Sequence, residues 1–271
     1  AINLAPADDV IISAERPLQL DSFLIPSILA KKYAVGSKYV VLDFPMGPEA
    51  KIKSVDQAKK LFRSFKDISK LLKIRINAVI TNGYQPLGTT VGPALEAREV
   101  LQVFERRDTE ADFVKKACFM VAVLLNMTRK INIEEGMNMA LKQIKNGKAE
   151  MKLREIIKAQ GGDPDISSHD IEVGHFVEEI RADKDGYVTS ISIGAIKILG
   201  RTLGAPFDRG AGIQIYKKLG EKVEKGEILF KMYAEARPKL KEAIKLLDSL
   251  EVYRIKPYRP KVKGIVIGWL K

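Results

Sequence analysis

Cysteine is almost absent from this sequence: Cys118 stands alone among 271 residues. No disulfide framework can form within the chain, which fits a reducing compartment and predicts a cytoplasmic protein. Set in Phe113-Val114-Lys115-Lys116-Ala117-Cys118-Phe119-Met120-Val121, the cysteine reads as a small buried hydrophobe rather than a catalytic thiol. Histidine is nearly as scarce, with two, and neither lies in a metal-ligand pattern. Long apolar runs are missing as well. The longest, Ala117–Leu125, is far too short to cross a bilayer, and no signal-peptide pattern is present. The sequence opens on Ala1 in what reads as the middle of an element, so a fragment or a processed piece of a longer protein is expected.

Acidic residues are outnumbered, 34 against 46 Lys and Arg, for a formal net charge of +12. Such a surplus can mark a nucleic-acid binder. Here the lysines are scattered and mostly stand beside acids, as in Lys217-Lys218-Leu219-Gly220-Glu221-Lys222-Val223-Glu224-Lys225, and aromatics do not interleave with basic clusters. The pattern predicts a solvated Lys/Glu surface with some attraction for anionic substrates, and no nucleic-acid or membrane partner. The abundance of Lys, Glu and Ile is a thermophile's composition. Apolar residues make up 46% of the chain, enough for a sizeable core in one large or two ordinary domains.

Helix over 24–35 is predicted from Leu24, Ile28 and Leu29 on one side, with Gly36 as its stop. Residues 39–44 read as a buried strand and 74–81 as the next. Between them Ser54 N-caps a helix to about Leu72, with Leu61, Phe65, Ile68 and Leu72 at helical spacing. Asn82–Gly92 is a Gly-rich loop, and Pro93 opens a helix to about Glu105. Strand, helix, strand, loop, helix is a βαβ unit of a parallel sheet. Helices follow at 110–128, 133–146 and 148–159, and Gly161-Gly162-Asp163-Pro164 ends them. Gly186–Ile191 alternates like a strand, Ile193–Leu203 reads as a helix, and Ala236–Ser249 as another. Gly220–Phe230 reads as two strands around a Gly-bounded turn, a hairpin of barrel-sandwich type. The domain boundary is expected near 161–180, dividing the chain into 1–165 and 166–271.

The densest chemistry lies in 21–51. Asp21 precedes Ser27-Ile28-Leu29-Ala30-Lys31-Lys32. The strand then runs through Tyr39-Val40-Val41-Leu42-Asp43-Phe44 into Pro45-Met46-Gly47-Pro48-Glu49-Ala50-Lys51. Ligands of α/β folds bind at the carboxyl ends of strands, so Asp, Ser and Lys side chains gather around one crevice. Ser27 and Lys31, four apart, share a helix face, where a solvent-facing polar stripe is the plain alternative. Lys32 points elsewhere and reads as a surface residue. Taken alone, Asp21 is a helix N-cap or an anion at the helix dipole, and Lys51 an exposed lysine.

The order Asp, Ser-Ile-Leu-x-Lys-Lys, strand, Gly-x-x-Ala-Lys resembles the pyrimidine nucleoside phosphorylase family. So do Leu4-Ala5-Pro6-Ala7-Asp8-Asp9 and Pro86-Leu87-Gly88-x-x-Val91-Gly92-Pro93-Ala94-Leu95-Glu96-Ala97. The likeness is to the C-terminal portion of its archaeal-type AMP-cleaving members. It implies part of a parallel-sheet α/β catalytic domain followed by an α+β barrel-sandwich domain. The implied reaction is phosphorolysis of AMP, and of CMP or UMP, to free base and ribose 1,5-bisphosphate. No cofactor is implied, since inorganic phosphate is the co-substrate, and a homodimer or higher homo-oligomer is expected. By this resemblance Asp21 is the proton donor to the leaving base, a role that needs a carboxyl pKa raised by burial. Ser27 and Lys31 contact the nucleobase, and Lys51 holds the nucleotide by its phosphate or its base edge. The Asp21–Ser27 interval is shorter than the family's.

Glu15 stands where thymidine-cleaving members carry a base-binding arginine, with Arg16 one residue on, which favours AMP over thymidine. Asp8 and Asp9 read as a cap or turn rather than a metal site. The residues of the 83–92 loop could cradle a phosphate against the following helix N-terminus, but the resemblance implies packing at the floor of the site. The family's Lys-x-Ser-x-Gly-Gly phosphate motif and a later Ser-Arg or Ser-Ser segment do not occur here, so the chain is expected to hold the base side of the site and not to catalyse alone. Competing readings are a thymidine or pyrimidine nucleoside phosphorylase, a non-catalytic barrel-sandwich carrier or interaction module, and a phosphoribosyltransferase needing pyrophosphate and magnesium. Lys231-Met232 lacks the hairpin-tip context of a modifiable carrier lysine.

Overall fold

A computed structural model describes residues 24–271. Asp21, Glu15, Arg16, Asp8, Asp9 and the Leu4–Asp9 motif lie outside the described residues. Helix α1 (Leu24–Ala34) leads through a turn at Gly36, φ 70°, into β1 (Tyr39–Met46). Helix α2 (Val55–Leu71) is capped by Ser54, whose hydroxyl accepts from the Gln57 N–H. It returns the chain to β2 (Arg75–Asn82), which pairs parallel with β1 from Tyr39↔Arg75 to Met46↔Asn82. This is the βαβ unit expected from the sequence. The sheet's third strand is β10 (Val266–Leu270), which lies antiparallel on the far side of β2 and makes the sheet mixed.

Alanine and β-branched residues keep β2 buried along most of its length, the pattern of a strand covered on both faces. Phe62 and Phe65 of α2 pack on it, and the Phe65 and Phe44 rings sit 5.9 Å apart. Helix α3 (Pro93–Arg106) begins on the proline. Helices α4 (Asp112–Arg129), α5 (Ile133–Lys145) and α6 (Lys148–Ala159) follow, with α4 against the parallel pair. Cys118 is buried beside Val103, Val114 and Ala140, and burial pushes its thiol pKa up, as suits an inert packing residue.

The remainder builds two antiparallel sheets. One holds β3 (Thr90–Val91), β6 (Gly212–Ile215), β8 (Ile228–Ala234) and β4 (Phe176–Arg181) in that order. The other holds β7 (Lys222–Val223), β5 (Gly186–Ile191) and β9 (Tyr253–Lys256). Val188, Val223 and Ile255 from the smaller sheet share one core with Ile213, Phe230 and Met232 from the larger. Helices α7 (Ile193–Leu203) and α8 (Arg237–Leu246) add Leu199, Leu203 and Leu240 to that core.

The hairpin expected over Gly220–Phe230 does not form. Strand β7 pairs with β5, and β8 with β6 and β4. The physical reason is the core between the sheets. Val223 and Phe230 are both buried in it, one from each sheet, so the chain must cross from one to the other at Gly226, φ 89°. The described residues form several sheets and no closed barrel.

Phe65 is fully buried in the core of the first sheet. Phe65→Ala is expected to cost about 3–5 kcal/mol in unfolding free energy, read from urea titration. A loss within about 1 kcal/mol would mean that α2 does not seat on β2 as described.

Candidate functional site

Strands β1 and β2 run in the same direction, so their following loops leave from one edge of the sheet. The two loops touch backbone to backbone. A Cβ on Gly47 would lie 2.2 Å from the Gly83 carbonyl oxygen, and Gly83 N–H donates to Met46 O at 2.9 Å. Gly47 N–H donates to Ile52 O at 3.1 Å and Met46 bridges to Ile52, which pinches 47–51 into a tight excursion. Exposed Lys51 sits at the end of this excursion, just before buried Ile52.

Helix α1 carries Ser27 and Lys31 one turn apart on a half-buried face, while Leu29 is 1% exposed in the core that includes residues of α2, β1 and β2. Lys32 is exposed, as its position on the helix predicts. The connection 35–38 joins α1 directly to β1, and α1 packs against α2. Asp21 lies outside the described residues.

The loop after β2 is held mainly by the antiparallel-sheet half of the chain. Lys218 Nζ donates to the carbonyls of Pro86, Leu87 and Gly88, at 2.6, 3.0 and 2.5 Å. Burial pushes the Lys218 pKa down, against the carboxylates of Asp112, Glu99 and Glu221. Leu219 N–H donates to Gln85 Oε1 at 2.8 Å, and Ile215 N–H to Thr89 O at 2.6 Å. Lys263 Nζ reaches the Tyr84 hydroxyl at 2.9 Å. At the loop's other end the Thr89 N–H and the Thr89 and Thr90 hydroxyls all donate to the Glu99 carboxylate. Donors that a phosphate would use are thus engaged with a carboxylate, which fits the packing role for this loop.

Beneath the loops, Asp43 of β1 accepts from the Thr81 hydroxyl at 2.6 Å and pairs with Lys116 of α4. A cavity of about 300 Å³ with a mixed lining lies among Asn82, Gln85, Asp112, Lys218, Leu219 and Val262. A larger one, about 560 Å³ and mostly apolar, opens between Pro86–Pro93 and α7. Glu49 crosses from the Lys51 loop to α7, accepting from Ser192 Oγ at 3.3 Å and from the Gly194 N–H. Sequence reading did not single out Glu49, Lys218, Asp43 or Glu99 as site-shaping residues. Each acts on a partner distant in sequence or across a turn, and no motif spacing announces such contacts.

Among the described residues no group of three or more His, Cys, Asp or Glu could hold a metal ion. No helix among them is long and apolar enough to cross a membrane. Lys231 lies in β8, between β4 and β6, with its ammonium 2.6 Å from Glu179, so it is not at the tip of a hairpin.

Residues 187–254 match the model of the pyrimidine nucleoside phosphorylase C-terminal domain. The sequence is 44% identical to an AMP phosphorylase of Thermofilum pendens over 249 residues, 92% of this chain and 48% of that protein. It is 43% identical to an AMP phosphorylase of Pyrococcus furiosus over 94% of this chain and 51% of the relative. For an AMP phosphorylase of Methanospirillum hungatei the identity is 38% over 98% of this chain and 51% of the relative. The chain spans about half the length of the curated relatives it matches. The resemblance drawn from the motifs is therefore borne out across nearly the whole sequence.

Lys218→Met would leave the carbonyls of Pro86, Leu87 and Gly88 without this donor, at an expected cost of about 1–3 kcal/mol. Hydrogen exchange in 83–92 should speed up while exchange in β1 stays unchanged. Equal exchange in both proteins would show that the ammonium does not hold the loop.

Proposed function

We propose that this chain supplies the base-side half of the active site of an AMP phosphorylase. The activity is that of the whole polypeptide, with AMP as substrate and CMP and UMP as alternates. Phosphate attacks C1′ of the ribose, the bond from C1′ to the base breaks, and the products are free base and ribose 1,5-bisphosphate. The base leaves poorly as an anion, so a proton must reach it as the bond breaks. Asp21 is the proposed donor. Ser27 and Lys31 hold the base, and Lys51 holds the nucleotide, so that the sugar is fixed for in-line attack.

The observation that carries this reading is the common edge of the parallel pair, from which the Lys51 loop and the loop after β2 both emerge and meet at Gly47 and Gly83. Similarity to AMP phosphorylases over almost the entire chain supports it. On the same reading β1 and β2 belong to a wider parallel catalytic sheet. Residues 1–165 are the catalytic portion, and 166–271 form a barrel-sandwich type of domain whose last strand crosses back. A homo-oligomer working in the cytoplasm without a cofactor is the expected form. The matched domain is named for pyrimidine nucleoside phosphorylases, which makes nucleoside cleavage the competitor. A covalent carrier role is disfavoured by the Lys231–Glu179 pair in mid-sheet.

The test offers AMP and thymidine in parallel, with phosphate, to the full-length protein and follows free base by chromatography. Phosphate-dependent adenine release is expected. Asp21→Ala should lower kcat by about 10²–10⁴-fold. Lys51→Ala should raise KM for AMP and leave any thymidine turnover unchanged. Thymine release alone would move the chain to the nucleoside branch, and no base from either substrate would overturn the phosphorylase reading.

A further inference from the structure

The loop after β1 carries two charged side chains. Lys51 is accounted for by the proposed function, and Glu49 is not. Glu49 reaches across to the amino terminus of α7, where its carboxylate accepts from the Gly194 N–H and from Ser192 Oγ. The Ser192 hydroxyl also caps its own helix, accepting from Ala195 N–H at 3.1 Å. Two amide groups left over by the first turn of α7 are thus satisfied, one from within the helix and one by a carboxylate from another segment. The sign is favourable, because a helix amino terminus attracts negative charge.

A Cβ on Gly194 would lie 2.7 Å from the Glu49 carboxylate oxygen. Alanine is the better helix former, yet glycine stands in the first turn of a helix whose Ala195, Ile196 and Leu199 are buried. Helix α7 is seated in the core between the antiparallel sheets, whereas the β1 loop belongs to the first sheet. The loop is pinned at its base by the Met46–Ile52 bridge and turned by Ala50 N–H to Gly47 O at 3.2 Å. Glu49 is its outer anchor.

We propose that Glu49 is a positioning residue, which sets the direction of Lys51 by docking its loop on α7. This rests on the reading of Lys51 as a nucleotide-binding lysine. It makes nucleotide affinity depend on a contact that never meets the substrate. It also predicts that blocking the dock from the far side, at Gly194, acts like removing Glu49.

The experiment uses the full-length protein and four variants: Glu49→Ala, Glu49→Gln, Gly194→Ala, and Glu49→Ala combined with Lys51→Ala. Hydrogen exchange over 47–52 tests the dock whether or not AMP is a substrate, and it should accelerate in Glu49→Ala and Gly194→Ala. Kinetics test the consequence. Glu49→Ala and Gly194→Ala should each raise KM for AMP by about tenfold, the size of one lost charged hydrogen bond, with kcat within about twofold. Glu49→Gln keeps the acceptor and should recover part of the loss. The unfolding midpoint of Gly194→Ala should not fall, which separates positioning from general stability. In the Lys51→Ala background, Glu49→Ala should add nothing. Unchanged exchange, independent effects of the two substitutions, or an unchanged KM in Glu49→Ala would each overturn the proposal while leaving the phosphorylase reading intact. If AMP is cleaved but Lys51→Ala is silent, the lysine assignment fails and this proposal with it.

Discussion

Gly47 and Gly83 let the loops leaving two parallel strands meet backbone to backbone, and the candidate site depends on that contact. The pairing of β1 with β2 brings the ends of the strands level. The absence of side chains at 47 and 83 lets the loops close on one another instead of splaying. Everything that shapes the crevice is then fastened to this pair. Lys218 and Gln85 join the second loop to the segment before β7, Glu49 joins the first loop to α7, and Asp43 with Thr81 and Lys116 ties the strands to α4. Any residue larger than glycine at 47 would meet a carbonyl oxygen well inside contact distance.

Local structure was legible in the sequence wherever one principle spoke without competition. The Ser54 cap, the Gly36 stop, the Pro93 start and the strands on either side of α2 follow from propensity, capping and periodicity, and they appear as read. Partner choice was not legible. Nothing local in Lys222–Val223 and Ile228–Ala234 distinguishes a hairpin from a crossing between sheets. The decision rests with Ala182, Val188 and Ile213, which are distant in sequence and share the core. The same holds for Val266–Leu270, whose apolar run gives no hint that it completes a sheet begun at Tyr39. For the candidate site, the positions of Ser27, Lys31 and Lys51 came from motif order. The residues that brace them came only from three-dimensional packing.

The surplus of positive charge is spread in the way the sequence implied. Lys116, Lys217, Lys231 and Lys239 each meet a carboxylate. Lys218 differs from these four, giving its ammonium to three carbonyl oxygens rather than to an acid. A carbonyl cradle is directional and cannot be satisfied by a displaced carboxylate, so it holds a loop in one shape where an exposed ion pair would leave it loose.

Strand β10 has a consequence for the order in which the molecule is made. Strand β2 emerges from the ribosome with β1 and α2 already available on one side. Its other edge waits until Val266–Leu270 has been synthesised and has returned to pair with it. Until then a strand buried along most of its length presents an unpaired edge. The first sheet is therefore the earliest part of the described chain to be started and among the last to be finished. The antiparallel sheets, whose strands come from 176–256 and the short β3, can assemble before it and bring β10 home.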